Sequence, residues 1–267
     1  MNDTLPATAV TPFVLRSDAN AVATLTMNRP ESINALSSGM IDALQVELDR
    51  IAADPNIRVV VLAAAGKHFC AGHDIAEMQS HRDEAWLAGM FGRCNTMMQT
   101  LTRLPQPVIA RVHGVATAAG CQLVAQCDLA IAADVARFAL PGVNIGLFCS
   151  TPAVAVGRNV PRKFAMEMLL TGDMIDAPTA LARGLVNRVV PAAELDATIG
   201  ALAEKIKGKS AVAIRLGKET FYRQVEMGLA GAYVQAGETM TCNVLTDDAA
   251  EGMSAFLGKR PPNWPNR

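Results

Sequence analysis

Two glycine- and alanine-rich runs, Cys70-Ala71-Gly72-His73-Asp74-Ile75 and Thr117-Ala118-Ala119-Gly120-Cys121-Gln122, each stand between an apolar, β-prone run and a helical pattern. Small residues at such a turn let a flat carbonyl approach the backbone, and a helix that begins there leaves N–H groups without intrahelical acceptors. Two such turns can each aim one N–H at a single oxygen, the arrangement that stabilises an oxyanion. Tight strand-to-helix packing with no ligand would use the same small residues. His73 is the histidine within these loops, and an imidazole titrating near ~6.5 carries protons at physiological pH. GVATAAG and AAAGKH lack the spacings of a dinucleotide-binding turn and a P-loop, and neither GxSxG nor HExxH occurs. Hydride transfer, nucleotide hydrolysis and zinc hydrolysis are therefore set aside. Six cysteines form no CxxC pair and fall mostly in apolar runs, so they read as small reduced hydrophobes, with neither a disulfide framework nor a metal site expected.

The elements that must hold these loops follow from periodicity. Val22 to Met27 reads as a strand before an Asn28-Arg29-Pro30 turn, and Ser37 caps a helix with apolar Ile41, Leu44, Leu48 and Ile51 that ends at Asp54-Pro55. Val59 to Ala65 is a strand buried on both faces, and the helix from about Glu84 to Leu104 carries Leu87, Phe91, Cys94, Met98 and Leu101 on one stripe. The unit recurs as Val108 to Val112, the second loop and a helix through Cys127. It recurs again as short strands at Leu129 to Ala133 and Phe138 to Leu140, a loop at Pro141 to Gly146, and a helix around Ala153 to Gly157. This is an α/β core spanning 11–191, after a loose tail at 1–10. Residues 192–267 read as helices alone: a stripe at Leu195, Ile199, Leu202 and Ile206, segments 211–227 and 231–245, and a last helix from Asp247 toward Lys259-Arg260. Lys205, Lys207, Lys209, Arg215, Lys218 and Arg223 gather there, as solvated faces or as a patch for an anionic ligand.

The chain of 267 residues is 51% hydrophobic and 18% charged with a net charge of −1, so no overall field recruits nucleic acid or an anionic membrane. Its longest apolar run falls far short of the roughly 20 residues that span a bilayer. The N-terminal decapeptide has neither an apolar core nor an Arg-rich amphipathic pattern, which makes a cytoplasmic address the default expectation.

GKHFCAGHDIAEM resembles the loop GxxFxAGxDIxEM of the enoyl-CoA hydratase/isomerase (crotonase) superfamily, and HGVATAAGCQLVAQCDLAIAAD resembles its second signature, GxxxGGGxELAxxCDxxxAxxxAxF. NRPESINALS, LLTGDMIDAPTALARGLVNRVVP and EGMSAFLGKRPPNW are similar to its first, late-core and C-terminal segments, in order. Within the superfamily, PGVNIGLFCSTPAVAVGRNVPRK looks most like the group called enoyl-CoA hydratase domain-containing protein 3. The resemblance implies a crotonase-type spiral of ββα turns, a C-terminal helical part that builds trimers or dimers of trimers, and a coenzyme A thioester as substrate with no separate cofactor.

Carried over position by position, the oxyanion donors are the backbone N–H groups of His73 and Ala119. Family hydratases hold and deprotonate water with two glutamates, at the positions of Gln122 and Gly142. Glutamine orients water without exchanging protons, and glycine offers no side chain. His73, Cys149, Ser150 and Asn144 are the polar groups on offer to stand in, Cys149 as a thiolate that attacks a thioester or takes a proton. The GHDI loop also resembles a decarboxylating branch of the superfamily, which has tyrosine where this chain has Cys149. The resemblance therefore implies an acyl-CoA enzyme that stabilises an enolate, with acyl-CoA decarboxylation or acyl-CoA binding without turnover as the alternatives. It brings the nucleotide against Ala71, Gly72, His73, Asp74 and Ile75, with Arg29 nearby and with Phe256 and Lys259 reaching a neighbouring subunit's ligand. Arg29 serves equally as a salt bridge shaping the turn before Pro30. Met97, Met98, Met166 and Met168 form either a plastic acyl wall or plain core, while His68, His81 and His113 read as structural or exposed.

Overall fold

Six consecutive apolar residues, Val59–Ala64, form β3, and all six are buried. The alternation of side chains divides them between two cores. Val60 and Leu62 face one cluster and Val59 and Val61 the other. The computed structural model describes residues 11–266, and the tail expected at 1–10 lies outside them. β3 sits within a six-stranded sheet ordered β1-β2-β3-β4-β6-β9. The other members are β1 (Val14–Ala19), β2 (Val22–Met27), β4 (Val108–Val112), β6 (Leu129–Ala133) and β9 (Arg188–Val190). Only β1 runs antiparallel to its neighbour. A smaller sheet joins β5 (Val115–Thr117), β7 (Arg137–Ala139) and β8 (Ile175–Asp176).

The helices close both faces of the large sheet. Ser37 caps α1 (Ser38–Ala52) by accepting the Met40 N–H at 3.3 Å, and α2 (Ile75–Ser80) and α3 (Glu84–Arg103) follow β3. α4 (Ala119–Gln126) follows β5; α5 (Ser150–Asn159), α6 (Arg162–Thr171) and α7 (Ala177–Ala182) complete the next turn. Leu44 and Leu48 of α1, Leu101 of α3 and Leu123 of α4 pack on Leu25, Val60, Leu62 and Val108. The opposite face is covered by α8 (Leu195–Lys207), whose Leu195, Ile199 and Ala203 meet Val59, Val61, Ile109 and Ile131. α9 (Ala211–Gln224), α10 (Leu229–Val244) and α11 (Asp247–Leu257) complete the chain.

Each turn of the chain lays one strand in the large sheet, one in the small sheet, and then a helix: β4-β5-α4, then β6-β7-α5. In the turn begun by β3 the second strand shrinks to a single parallel bridge, Cys70 to Ala116. This is the expected crotonase-type spiral. Lys218 departs from both readings of the basic cluster. Its side chain is 7% exposed, and its Nζ donates to Asp128 Oδ2 (2.6 Å) and to the Leu101 and Gln106 carbonyls (both 2.9 Å). With Tyr222, which donates to Asp128 Oδ1 at 2.9 Å, it ties α9 to the spiral and is not available to an anionic ligand.

Candidate active site

Parallel register brings the two small-residue loops together. Phe69 and Cys70 donate to the Val115 carbonyl (2.9 and 3.1 Å), and Thr117 N–H donates to the Cys70 carbonyl at 2.9 Å. Because Cys70 is level with Ala116, His73 and Ala119, equally far along their loops, emerge side by side. On its other flank Leu36 donates to the Gly72 carbonyl (2.7 Å) and accepts from Asp74 N–H (3.3 Å). Successive N–H groups of an extended chain alternate sides, so the His73 N–H faces the Ala119 loop. Ala119 opens α4, where first-turn N–H groups have no intrahelical acceptor. Among the described residues neither N–H is bound to a protein acceptor. The third turn arrives alongside: Thr117 is level with Ala139, and Ala118 N–H donates to the Ala139 carbonyl at 2.9 Å, so Pro141-Gly142 leave the sheet beside Ala119.

Close backbone contact explains the small residues. A Cβ on Gly120 would stand 2.2 Å from the Cys70 carbonyl oxygen, and one on Gly72, whose φ is +101°, would stand 3.1 Å from the Ala119 nitrogen. Ala118 pays for this geometry, with φ 49° and ψ −120°, a region that glycine enters and other residues occupy only under strain. Its position matches a glycine in the second signature, a signal that sequence reading passed over. Ala118→Gly is expected to stabilise the fold by about 1 kcal/mol net, the released strain exceeding glycine's added chain entropy, and to raise the melting temperature by ~2–4 °C. A calorimetric scan showing no rise would contradict this.

His73 is neutral here. Its ring meets Phe91 of α3 edge-on, centroids 5.2 Å apart, and its Nε2 is buried without a hydrogen-bond partner. Burial pushes its pKa down to about 4, so it does not carry protons near neutral pH as its loop position suggested. In the unfolded chain the ring titrates near 6.5 and in the folded chain near 4, so its contribution to stability is complete above the first value and is lost as pH falls toward the second. At ~1.4 kcal/mol per pH unit, reduced for the ring's partial exposure, about 1–2 kcal/mol is lost by about pH 5. Urea unfolding at about pH 7.5 and about pH 5 checks this. His73→Gln is expected to narrow the difference between the two by that amount, and an unchanged difference would contradict it.

Neither position that the resemblance gives to the paired glutamates carries a carboxylate. Gln122 is only 4% exposed, and its Oε1 is buried without a partner. Gly142 is not among the glycines of positive φ; packing is what restricts it, since its Cβ would stand 3.0 Å from both Cys149 Sγ and the Leu147 carbonyl. Cys149 is buried and its Sγ accepts the Gly142 N–H at 3.3 Å. Burial pushes this thiol up, with the Gly142 hydrogen bond opposing. Asn144 and Ser150 are exposed, so of the four stand-in candidates only His73 and Cys149 face inward.

The other flank is an open cleft of about 730 Å³ whose wall includes Arg29, Ala71, His73, Asp74 and Ile75. Arg29 Nη1 donates to Asp74 Oδ2 at 2.7 Å, realising the salt bridge that the sequence offered as one role for Arg29. Asp74 also caps α2 through the Glu77 N–H at 3.1 Å. Burial works against its charge, but Arg29 and these N–H groups hold its carboxyl below the usual range. Phe256, 83% exposed, and Lys259 lie at the end of α11 and are not part of this cleft wall. Met97, Met98 and Met168 are core, and Met166 is exposed. His81 stacks on Trp86 and His113 bonds the Gly66 carbonyl.

Comparison with known proteins bears on the family and the fold. Residues 17–267 match the family model described as enoyl-CoA hydratase/isomerase. The chain is 45% identical over 254 residues to enoyl-CoA hydratase domain-containing protein 3, mitochondrial, of Xenopus laevis, covering 95% of this chain and 86% of that one. A crystal structure of an enoyl-CoA hydratase from Mycobacterium smegmatis superposes with a TM-score of 0.93 at 52% identity, covering 95% and 99% of the two chains. The human enoyl-CoA hydratase domain-containing protein 3 superposes with a TM-score of 0.92 at 42% identity, covering 94% and 100%. Among the described residues no helix is long and apolar enough to cross a membrane. The Xenopus protein is named mitochondrial, so the likeness lends the cytoplasmic expectation no support. Motifs, fold and relatives agree: this chain belongs to the enoyl-CoA hydratase/isomerase family.

Proposed function

We propose that the protein binds an acyl-CoA thioester with its carbonyl oxygen between the His73 and Ala119 N–H groups, and uses that hole to stabilise the thioester enolate. The observation that carries this is the pair of adjacent N–H groups without protein acceptors. The nucleotide lies in the cleft of Arg29, Ala71, Asp74 and Ile75, beside Gly72. Reactions that need a strong general base at neutral pH are disfavoured, because Gln122, neutral His73 and the protonated thiol of Cys149 leave the site without one. The same observation favours the second reading, acyl-CoA binding without turnover. Incubation with enoyl-, malonyl- and 3-oxoacyl-CoA, followed by mass analysis, separates the two. A converted thioester supports the enzyme, tight binding of all three without conversion supports the second reading, and absence of binding contradicts both.

The proposal extends to assembly. Leu229 (76% exposed), Leu245 (80%), Phe256 (83%) and Leu257 (80%) leave α10 and α11 with apolar faces too large for a free surface. A trimer or a dimer of trimers covers them and lets Phe256 and Lys259 reach a neighbour's ligand. Light scattering is expected to give a trimeric or hexameric mass; a monomer that binds acyl-CoA with full affinity would contradict this.

A further inference from the structure

The thiol of Cys149 has no part in the enolate chemistry above, yet it occupies the space that Gly142 leaves open. A Cβ on Gly142 would meet Sγ at 3.0 Å, and the Gly142 N–H already donates to it. Cys149 is also the residue that opens α5, and α5 packs on α4, the helix that Ala119 begins. Sγ therefore sits between the second and third strand-end loops, next to the hole without lying in it. Gln122 of α4 gives an independent indication of a ligand. It is 4% exposed with an unpartnered Oε1, and buried polar atoms are ordinarily satisfied.

We infer that Cys149 adds to the β-carbon of an α,β-unsaturated acyl-CoA held in the hole, so that the protein traps enoyl thioesters covalently and reversibly. This rests on the proposed binding of the thioester carbonyl by His73 and Ala119. With that oxygen fixed, the β-carbon lies two bonds beyond the carbonyl carbon and is displaced toward the acyl side, where Cys149 stands. The Sγ–H bond breaks and an Sγ–Cβ bond forms. The π pair of the double bond moves onto the thioester oxygen as an enolate held by the two N–H groups, and the enolate then takes one proton at the α-carbon, matching the one lost from sulfur. Nothing is oxidised or reduced, and CoA stays attached. The reverse step expels the thiolate and restores the enoyl thioester. Attack at the carbonyl carbon would differ in kind, releasing CoA thiol and leaving only the acyl group on the protein. Because the thiolate is the nucleophile and burial raises this thiol, capture quickens with rising pH.

The test incubates the full-length protein with crotonyl-CoA and with its saturated counterpart butyryl-CoA, quenches in acid, and records intact and peptide masses, while calorimetry follows butyryl-CoA binding. The expected result is one whole crotonyl-CoA per chain, mapped to Cys149 and formed about tenfold faster per unit rise of pH below the thiol's pKa. Butyryl-CoA gives no adduct, and neither Cys149→Ala nor the size-matched Cys149→Ser forms one. Butyryl-CoA binding without any crotonyl-CoA adduct would overturn the inference and leave the proposed function standing. So would an acyl-only adduct, an adduct that survives both substitutions, or labelling of exposed Cys242 at an equal rate. Failure to bind either thioester would overturn both.

Discussion

With crotonyl-CoA in excess, catalytic loss of its conjugated absorbance is expected to run ~10²- to 10⁴-fold more slowly on this protein than on a family hydratase that carries both carboxylates. The hole can polarise the thioester, but hydration also requires a group that takes a proton from water and one that returns it. Gln122 can only orient water, His73 stays neutral to about pH 4, and Gly142 has no side chain. Gln122→Glu changes little volume. Gly142→Glu must displace Cys149 Sγ and crowd the Leu147 carbonyl, each 3.0 Å from the new Cβ, and overpacking of this kind costs ~1–3 kcal/mol. The pair Gln122→Glu with Gly142→Glu is therefore expected to raise hydration at the expense of stability, and adding Cys149→Gly is expected to return part of that stability. Denaturation and absorbance decay read the two effects separately. Wild-type turnover at roughly tens per second or faster, within the ordinary enzyme range, would contradict the assignment. Loss limited to one equivalent per chain would instead belong to capture by Cys149.

What was legible in the sequence was whatever depended on local pattern. The apolar run of β3, the Ser37 cap, the α3 stripe and the two small-residue loops are all written in neighbouring residues, and the family motifs supplied the pairing of His73 with Ala119. β1 was not legible because it is an edge strand with an irregular inside-outside pattern, mostly exposed, and α2, β8 and β9 are too short to show a period. The state of the site was hidden for another reason. The burial that depresses His73 and the contact of its ring with Phe91 join residues far apart in the chain, and the filling of Gly142's space by Cys149 depends on how the loop between them closes. Only the folded spiral shows that Asn144 and Ser150 face solvent while Cys149 faces inward.

Ala119→Pro is expected to lower any enolate-forming turnover by ~10²- to 10³-fold, the loss of roughly 3–4 kcal/mol that follows removal of one oxyanion donor. Proline has no N–H to donate, and its ring carbon takes the place of the hydrogen that points at the thioester oxygen. At the first position of a helix proline is tolerated, but it restricts the residue before it and Ala118 stands at φ 49° and ψ −120°, so the change is made in the Ala118→Gly background, where α4 (Ala119–Gln126) is expected to remain folded. Circular dichroism and the melting temperature verify that, and a folded variant with unchanged turnover would show that the donors lie elsewhere.

The most direct measurement is the infrared stretch of the thioester carbonyl, read with isotopically labelled butyryl-CoA bound to the protein. Two N–H donors weaken the C=O bond, so the account predicts a shift to lower frequency on the wild type and its loss on Ala119→Pro. A bound thioester whose carbonyl frequency matches that in water on both proteins would contradict the oxyanion hole itself.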